Sequence, residues 1–422
     1  MSEHHKFRYL LPPGNNFSFV SKFRIWMIIS IFLMAGAIGM LFVNKSVRGE
    51  YMNWTTDFKG GTEIIFTFQD PSNQYVKADA GKVREALASA GEDGFEVSEI
   101  SWEGEDGKTV TGMKVVTPRF AALPETTQDK IRKDVLEKLK DRNIVKASWS
   151  GDRINIRSKT PVTVADIRPL FAPFNLTVKD WIPSETKLYG EMDLGTKEYN
   201  QWYGMGGLGE QFSKTLEKGL PNTKVGVYSS YGVGAKAGEK LRDDAAKAIV
   251  YAIFLIMLYL AFRFDVRYAP GAAFATIHDA VMVIGVFAVT WTDVSLVSVA
   301  GLLTVMGYSV NDTVIVFDRI RENQAKLKDK KVERIIDISI NEMLVRTILT
   351  SSTVFATTLI MNIFGTGEVK NFAFAMNVGV IVGTYSSIFL AAPLFMWISK
   401  KWYSGPAPAR RRPSGVAAPS AE

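Results

Sequence analysis

The sequence predicts a multi-pass α-helical membrane protein with six transmembrane helices and a large external (periplasmic) α+β domain inserted between helices 1 and 2. Six apolar stretches are each long enough to cross the lipid bilayer, for which about 20 residues are needed. The segment 44–244, between the first two stretches, instead has the composition of a soluble domain. This clustering of apolar residues is typical of a membrane protein with one water-exposed domain.

The first apolar stretch, residues 23–43, is predicted to be transmembrane helix 1, after a short cytoplasmic segment, residues 1–22. A cleaved signal peptide is the alternative. However, the stretch is longer than the apolar region of a typical signal peptide, and no small-residue cleavage site follows it, so a retained helix is expected. Helices 2 to 6 fall within residues 245–398, at Ala245–Ala261, Ala269–Thr290, Val294–Phe317, Thr347–Phe364 and Phe372–Ile398.

Basic residues in the short loops predict the orientation of the chain. The cytoplasmic loop 319–346, between helices 4 and 5, carries eight Lys and Arg residues. The loop between helices 3 and 4 carries none, and the loop between helices 5 and 6 carries one. Because such bases concentrate on the cytoplasmic side, both termini are expected in the cytoplasm. The tail 399–422 is low in complexity and contains a basic cluster that anionic lipid would attract, and we expect it to be disordered.

The external segment alternates strand-like runs with helix-like runs. This mixture favours α+β modules, two in tandem being one arrangement. The run SGDR, residues 150–153, is typical of the turn of a β-hairpin. The glycine-rich run WYGMGGLGEQ, residues 202–211, is predicted to be a flexible connection.

Several kinds of chemistry lack the residues that they need. The chain has no cysteine, and two of its three histidines lie at positions 4 and 5, which leaves too few ligands for a zinc site. It contains neither a GxxxxGK[ST] phosphate loop nor a nucleophile elbow. The net charge of +7 reflects bases beside the spans rather than a nucleic-acid surface. We therefore expect no enzymatic activity, metal, cofactor or nucleic acid, and the ion gradient is the energy source that remains.

Asp312 is the most informative residue in the predicted spans, because a carboxylate deep in a bilayer costs about 2.5–3.5 kcal/mol on insertion scales. Burial favours its protonated form and a nearby cation favours its ionised form, so the two effects together suit a group that binds and releases a proton. Arg346, at the cytoplasmic mouth of helix 5, is the expected cation. His278 and Asp279 of helix 3 are candidates for the same network. An intramembrane aspartyl protease built on Asp279 and Asp312 is disfavoured.

Helical spacing predicts two polar faces in these spans. On helix 4 the face is Gly301, Thr304, Tyr308 and Asp312, and on helix 5 it is Arg346, Thr350, Thr353 and Thr357. Tyr308 and Thr350 of these faces are candidate relay residues, and so is Asn311, which precedes Asp312 in the sequence. Packing alone is the competing explanation for most of the hydroxyls and glycines, including Gly379 and Gly383 of helix 6.

Five stretches of the sequence resemble the SecF family of protein-export membrane subunits. They are DFKGG (57–61), LYLAFRFDVRYAPGAAFATIHD (258–279), GYSVNDTVIVFDRIREN (307–323), RTILTSST (346–353) and GTYSSIFLAAPL (383–394). Together they cover helices 2 to 6 almost continuously. In this resemblance Asp312 matches the key transmembrane carboxylate of the family, and Arg346 matches its functional arginine. Asp57, Gly60, Gly61 and Gly307 belong to the matching structural motifs.

The resemblance implies one six-helix half of the resistance-nodulation-division superfamily, located in the bacterial inner membrane. It also implies a SecD-like partner subunit, the SecYEG translocation channel as a neighbour, and secreted unfolded polypeptides as cargo. Such proteins are understood to use the proton motive force, which gives Asp312 and Arg346 the role of proton coupling. The chain departs from the family pattern at Lys59 and Ala235, and its external segment is unusually long, so we expect an inserted module there.

Two other functions remain open at this point. A proton-driven small-molecule or lipid exporter half of the same superfamily is the alternative, and a non-transporting scaffold is a third hypothesis. A complete exporter should carry both halves in one chain of about twelve spans, whereas this chain has six. A scaffold would not need a carboxylate and an arginine inside the membrane. Both arguments favour the export subunit.

Overall fold

The computed structural model of the chain describes residues 16–104, 107–174, 178–180, 187–189, 198–264 and 266–402. The chain divides into two compact units. A helical unit comprises Met1–Asn53, Ala248–Thr292 and Val297–Glu422, and a mixed unit comprises Trp54–Lys247 and Asp293–Leu296. The α-helices are α1 (Phe23–Arg48), α2 (Thr56–Lys59), α3 (Ala80–Ser89), α4 (Glu125–Lys138), α5 (Val164–Phe171), α6 (Leu208–Gly219), α7 (Ala235–Arg263), α8 (Ala269–Thr290), α9 (Leu296–Lys326), α10 (Val332–Phe364), α11 (Gly367–Ser386) and α12 (Ala392–Trp402). The strands are β1 (Gly61–Gln69), β2 (Glu96–Glu103), β3 (Thr109–Thr117), β4 (Ile144–Ser150), β5 (Arg153–Ser158), β6 (Val178–Asp180), β7 (Lys187–Tyr189), β8 (Glu198–Met205) and β9 (Lys224–Val233).

Six apolar helical segments of the described chain are long enough to span a membrane, as predicted. They are Val20–Arg48, Ala235–Arg263, Ala269–Thr290, Leu296–Lys326, Val332–Phe364 and Gly367–Lys400. The last segment joins α11 to α12 through a π-helical turn at Ser387–Ala391. The strands lie between the first and second of these segments, which confirms the predicted fold class.

Some predicted boundaries differ from the observed helices. The second span begins at Ala235, well before the predicted Ala245. The loop predicted at residues 319–346 is mostly helical, because α9 continues to Lys326 and α10 begins at Val332. Hydropathy marks only the part of a helix that is apolar enough for lipid, so the polar extensions of α7 and α9 escaped the prediction.

Small residues let α11 approach α9 closely in the helical unit. A Cβ atom on Gly379 would overlap the side chain of Val305, and one on Gly383 would lie 2.9 Å from Cβ of Ser309. Helices in a bilayer associate through such van der Waals contacts rather than through burial from water. The predicted packing role of this glycine pair is therefore confirmed.

The first sheet of the mixed unit is antiparallel, with the strand order β2-β3-β1-β9. Alternate residues of β1, namely Ile64, Phe66 and Phe68, are fully buried against side chains of α3 and α6. This alternation is the two-residue period of a strand with one covered face. Because β1-α3-β2-β3-α6-β9 follow one another along the chain with this strand order, the module has a ferredoxin-like topology.

The chain between β3 and α6 forms a second antiparallel sheet, β4-β5-β8-β6, with β7 paired to β8. Its core includes Ile131 of α4, Ile154 and Ile156 of β5, and Phe171 of α5. The predicted SGDR turn does join β4 to β5. The second module is thus nested inside the first, rather than following it in tandem.

The glycine-rich run 202–211 is ordered secondary structure rather than a flexible connection. Strand β8 extends to Met205 and α6 begins at Leu208. A Cβ atom on Gly209 would lie 3.3 Å from Cγ1 of Val227, so this glycine serves the close packing of α6 on the sheet. The prediction failed because glycine marks close backbone approach as well as flexibility.

Asp152, in the β4–β5 turn, holds the two connections of the inserted module together. Its carboxylate accepts hydrogen bonds from the backbone N–H of Ala122 at 2.6 Å and of Leu208 at 2.7 Å. Ala122 precedes the inserted module and Leu208 follows it. Burial raises the pKa of Asp152, and this effect outweighs the two N–H donors and the charges of Arg119 and Arg153.

We expect the stability of the mixed unit to fall as pH rises from about 4 through the raised pKa of Asp152. In that pH range the carboxyl group of Asp152 is still protonated in the folded protein but has lost its proton in the unfolded protein. Raising the pH therefore favours unfolding. Asp152→Asn cannot titrate and should remove this pH dependence. Amide-exchange protection of Leu208 in the full-length protein measures it, with the exposed Asp129→Asn as the control. If the protection of Leu208 depended on pH in Asp152→Asn as it does in the unaltered chain, Asp152 would not be the group responsible.

Candidate functional site

Asp312 lies near the middle of α9 with 1% of its surface exposed. Its Oδ2 atom is 3.4 Å from Oγ of Ser351 in α10, and that Oγ accepts a hydrogen bond of 2.7 Å from Oγ1 of Thr384 in α11. Three helices therefore build one chain of hydroxyl groups that ends at the carboxylate. Because a hydroxyl can donate to an ionised carboxylate or accept from a protonated one, this environment suits both states of Asp312.

Arg346, the cation expected near Asp312, acts on it without a direct ion pair. Within the described residues Asp312 has no salt bridge, and the charge of Arg346 reaches it only through space. Arg346 precedes Ser351 by five residues, which places it about 140° around α10 and about 7.5 Å along its axis from Ser351. The side chain of Arg346 is consequently exposed at the surface of the helical unit.

The polar face predicted for the fifth span lies on the outside of the helical unit. Thr350, Thr353 and Thr357 are exposed. The buried hydroxyl residues of α10 from position 347 onwards are Thr347, Ser351 and Thr358. Thr350 donates its hydroxyl to the backbone oxygen of Arg346 at 3.0 Å, so it bonds within its own helix and does not join the chain at Asp312.

The other predicted relay residues of α9 also lie outside that chain. Tyr308 is half-buried, and its hydroxyl has no hydrogen-bond partner among the described residues. Asn311 is exposed, and no atom lies within 4 Å of the position that a Cβ on Gly307 would take. Together with the exposed Thr304, these residues form an open strip along α9.

His278 and Asp279 form a second cluster, centred on α8. Nδ1 of His278 is 3.0 Å from Oδ1 of Asp279. Oδ2 of Asp279 accepts hydrogen bonds from the hydroxyls of Ser386 in α11, at 2.9 Å, and Ser309 in α9. Among the described residues this cluster shares no hydrogen bond with the chain at Asp312, so the predicted single network is in fact two clusters.

Four hydroxyl residues complete the two clusters, and none of them was predicted to have a chemical role. They are Ser309, Ser351, Thr384 and Ser386. Each of the four lies on a different helix from the carboxylate of its cluster, and no spacing within the sequence aligns one helix with another.

Asp57 of the DFKGG motif has a structural role in the mixed unit. Its Oδ1 accepts a hydrogen bond from the Tyr231 hydroxyl at 3.1 Å, and its Oδ2 accepts one from the backbone N–H of Leu296 at 3.0 Å. Leu296 is the first residue of α9. A carboxylate at this position satisfies one of the N–H groups that a helix leaves unpaired at its start.

The glycines of the same motif are required by the backbone. Gly60 and Gly61 have φ values of 78° and 108°, which side-chain-bearing residues rarely adopt. A Cβ atom on Gly60 would also lie 2.7 Å from Cα of Ala235, and one on Gly61 would overlap the backbone oxygen of Thr117. The motif thus allows three backbone segments to meet.

The match to known proteins decides the family. A family model described as "Protein export membrane protein SecD/SecF, C-terminal" matches residues 213–401. The protein translocase subunit SecF of Thermodesulfovibrio yellowstonii is 35% identical over 254 residues, which are 59% of this chain and 81% of that protein. The chain belongs to the SecD/SecF family. The resemblance seen in the sequence motifs is therefore confirmed.

Two longer proteins match this SecD/SecF chain over one part of their own length. The protein translocase subunit SecDF of Brucella abortus is 43% identical over 255 residues, which are 60% of this chain and 32% of that protein. A crystal structure of a Thermus SecDF, called a translocon-associated membrane protein, is similar with a TM-score of 0.58 and 24% identity. That match covers 92% of this chain and 39% of the SecDF chain, and it shows the shared fold.

Proposed function

We propose that this SecD/SecF family chain is the SecF-type subunit of a protein-export accessory complex in the bacterial inner membrane, with both termini in the cytoplasm. With a SecD-like partner it uses the proton motive force to promote the translocation and release of secreted, unfolded proteins beside the SecYEG channel. No covalent chemistry and no cofactor are needed. The proposal is supported by relatives that are named translocase subunits and by a solved relative that is called translocon-associated.

The buried carboxylate of Asp312 is the observation that carries the proton-driven part of this proposal. It lies inside a helix bundle, without an ion pair among the described residues and with a hydroxyl as its neighbour. A carboxylate buried in a transmembrane span is costly, so such residues are rare and usually have a function. One elementary charge that crosses about 150 mV supplies about 3.5 kcal/mol, which shifts a two-state equilibrium more than a hundredfold.

The hydroxyl chain gives each protonation state its own hydrogen-bond direction. In the ionised state Thr384 donates to Ser351 and Ser351 donates to Asp312. In the protonated state Asp312 donates to Ser351, Ser351 donates to Thr384, and Thr384 donates to the backbone oxygen of Val380, 2.7 Å away. Binding one proton therefore reverses a chain that connects α9, α10 and α11.

The open strip along α9 is the proposed contact of a SecD-like partner. Thr304, Gly307 and Asn311 are exposed on α9, and Thr350 and Thr353 are exposed on α10. Polar side chains in a transmembrane span rarely face lipid. The SecDF relatives, in which the counterpart of this chain is joined to a longer remainder, support a second half that covers these residues.

Gly307→Leu is expected to weaken the association with a SecD-like partner at least about tenfold, because a leucine on the strip prevents close helix contact. The ratio of the two subunits after purification in mild detergent measures the effect. Gly36→Leu is the matched control, since Gly36 of α1 is also exposed and also has no atom within 4 Å of an added Cβ. Equal ratios in the two variants would place the partner elsewhere.

Depletion of this chain from cells tests the proposed cargo. We expect a secreted protein to leave the outer face of the membrane more slowly, and re-expression of the chain to restore the rate. Pulse labelling followed by protease accessibility measures that release. If release is unchanged while sensitivity to small toxic compounds rises, the small-molecule or lipid exporter half becomes the better proposal.

A further inference from the structure

The His278–Asp279 pair is a second ionisable site that the proposed coupling at Asp312 does not use. Both side chains are buried, with 1% and 0% of their surface exposed. They belong to α8, whereas Asp312 is bonded through α10 and α11. The pair therefore needs an explanation of its own.

The donors around Asp279 fit an ionised carboxylate. One oxygen faces Nδ1 of His278, and the other accepts from the hydroxyls of Ser309 and Ser386. A carboxylate without a proton is an acceptor only, so the two hydroxyls satisfy it well, together with His278 in the tautomer that carries a proton on Nδ1. Among the described residues no lysine or arginine pairs with Asp279, and a lone negative charge in this setting is unfavourable. The histidine is the cation that can balance it.

Nε2 of His278 is the atom whose protonation determines whether the imidazole ring carries the positive charge that balances Asp279. Its Nε2 is buried and has no hydrogen-bond partner among the described residues. In a purely structural cluster, buried polar atoms are nearly always paired. When Nδ1–H donates to Asp279, Nε2 carries a lone pair in the neutral ring and a proton in the charged ring. Imidazole is also the side chain that ordinarily changes charge between about pH 5 and 8.

The pair lies within electrostatic reach of Asp312. Ser309, which donates to Asp279, is three residues before Asp312 on α9, a rise of about 4.5 Å. Among the described residues Tyr385 of α11 also faces the histidine, with its ring centre 5.9 Å from that of His278 and its hydroxyl bonded to Ser30 of α1. At such separations and low dielectric, a charge change at one carboxylate is felt at the other site.

We propose that His278 and Asp279 form a second intramembrane proton-binding site, which takes its proton at Nε2 of His278 and whose occupancy is coupled to that of Asp312. An ionised Asp312 favours the charged imidazolium, and a neutral residue at position 312 disfavours it. The coupling rests on the proposed function of Asp312, whereas proton binding by the pair itself does not.

The scarcity of histidine makes this site directly observable. His278 is the only histidine left when His4 and His5 are replaced by asparagine. The full-length His4→Asn/His5→Asn chain, labelled with nitrogen-15 histidine and embedded in lipid bilayers, can be titrated by solid-state NMR from about pH 5 to 9. We expect the Nε2 resonance to change from the unprotonated to the protonated position with a single midpoint.

Adding Asp312→Asn should move that midpoint to lower pH by at least about half a unit, whereas Asp318→Asn, at an exposed position of the same helix, should leave it unchanged. An Nε2 resonance that keeps one protonation state throughout would overturn the proposal of a second site. A titration that is the same in both variants would overturn the coupling. Neither result depends on protein export, so each can be told apart from a failure of the proposed function.

Discussion

Release of a secreted protein is expected to slow at least about tenfold when Asp312 is replaced by asparagine. The amide has nearly the shape of the carboxyl group and can still bond to the Ser351 hydroxyl, but it cannot bind and release a proton. The helical unit should therefore keep its structure and lose its response to the gradient. The loss can be large, because the gradient supplies about 3.5 kcal/mol per charge at about 150 mV.

Asp318→Asn is the matched control for this experiment. Asp318 lies on the same helix, but its side chain is 55% exposed and pairs with Arg321 at 2.8 Å. An exposed pair of this kind contributes little, so normal release is expected. If both variants release protein at the normal rate, Asp312 is a structural residue. If both are equally slow, the effect does not come from a proton site at position 312.

Gly379→Ala is expected to destabilise the helical unit by about 1–3 kcal/mol, the usual cost of forcing a methyl group into a filled core. The new Cβ would overlap the side chain of Val305, which is fully buried. Moving α11 away from α9 would also stretch the contacts that Thr384 and Ser386 make to the two clusters. Slower release should therefore accompany the lower stability.

Gly39→Ala is the control for that loss of stability. Gly39 is exposed on α1 and has no atom within 4 Å of an added Cβ, so the methyl group meets nothing. The temperature at which each variant leaves its folded detergent-solubilised peak, followed by size-exclusion chromatography, compares them. If Gly379→Ala is as stable as Gly39→Ala, the close approach of α9 and α11 is not a requirement of the fold.

The sequence was sufficient for the six spans because membrane insertion depends mainly on the length and hydropathy of each stretch. It was also sufficient for the burial of Asp312, since a span with a carboxylate turns that residue inward. An inserted module was expected in the external segment, but its position between β3 and α6 could not be predicted from the sequence. Both sheets contain short strands with similar patterns, and only long-range pairing shows that β9 returns to β1.

The partners of Asp312 were predicted less well, for a physical reason. Arg346 was expected from its place at the cytoplasmic mouth of helix 5, and Thr350 from its spacing on the same face. The rotation of α10 against α9 is set by packing, however, and it presents Ser351 to Asp312 instead. Helical periodicity defines which residues share a face. It does not define which face meets the neighbouring helix when most faces of a span are apolar.

The most direct test of proton coupling at Asp312 compares release rates in spheroplasts that carry either the unaltered chain or Asp312→Asn, each with and without a protonophore. We expect collapse of the gradient to slow release about tenfold with the unaltered chain and to leave the already slow release with Asp312→Asn unchanged, because both perturbations remove the same step. A further, equal slowing of Asp312→Asn by the protonophore would contradict it, since the gradient would then act at another site.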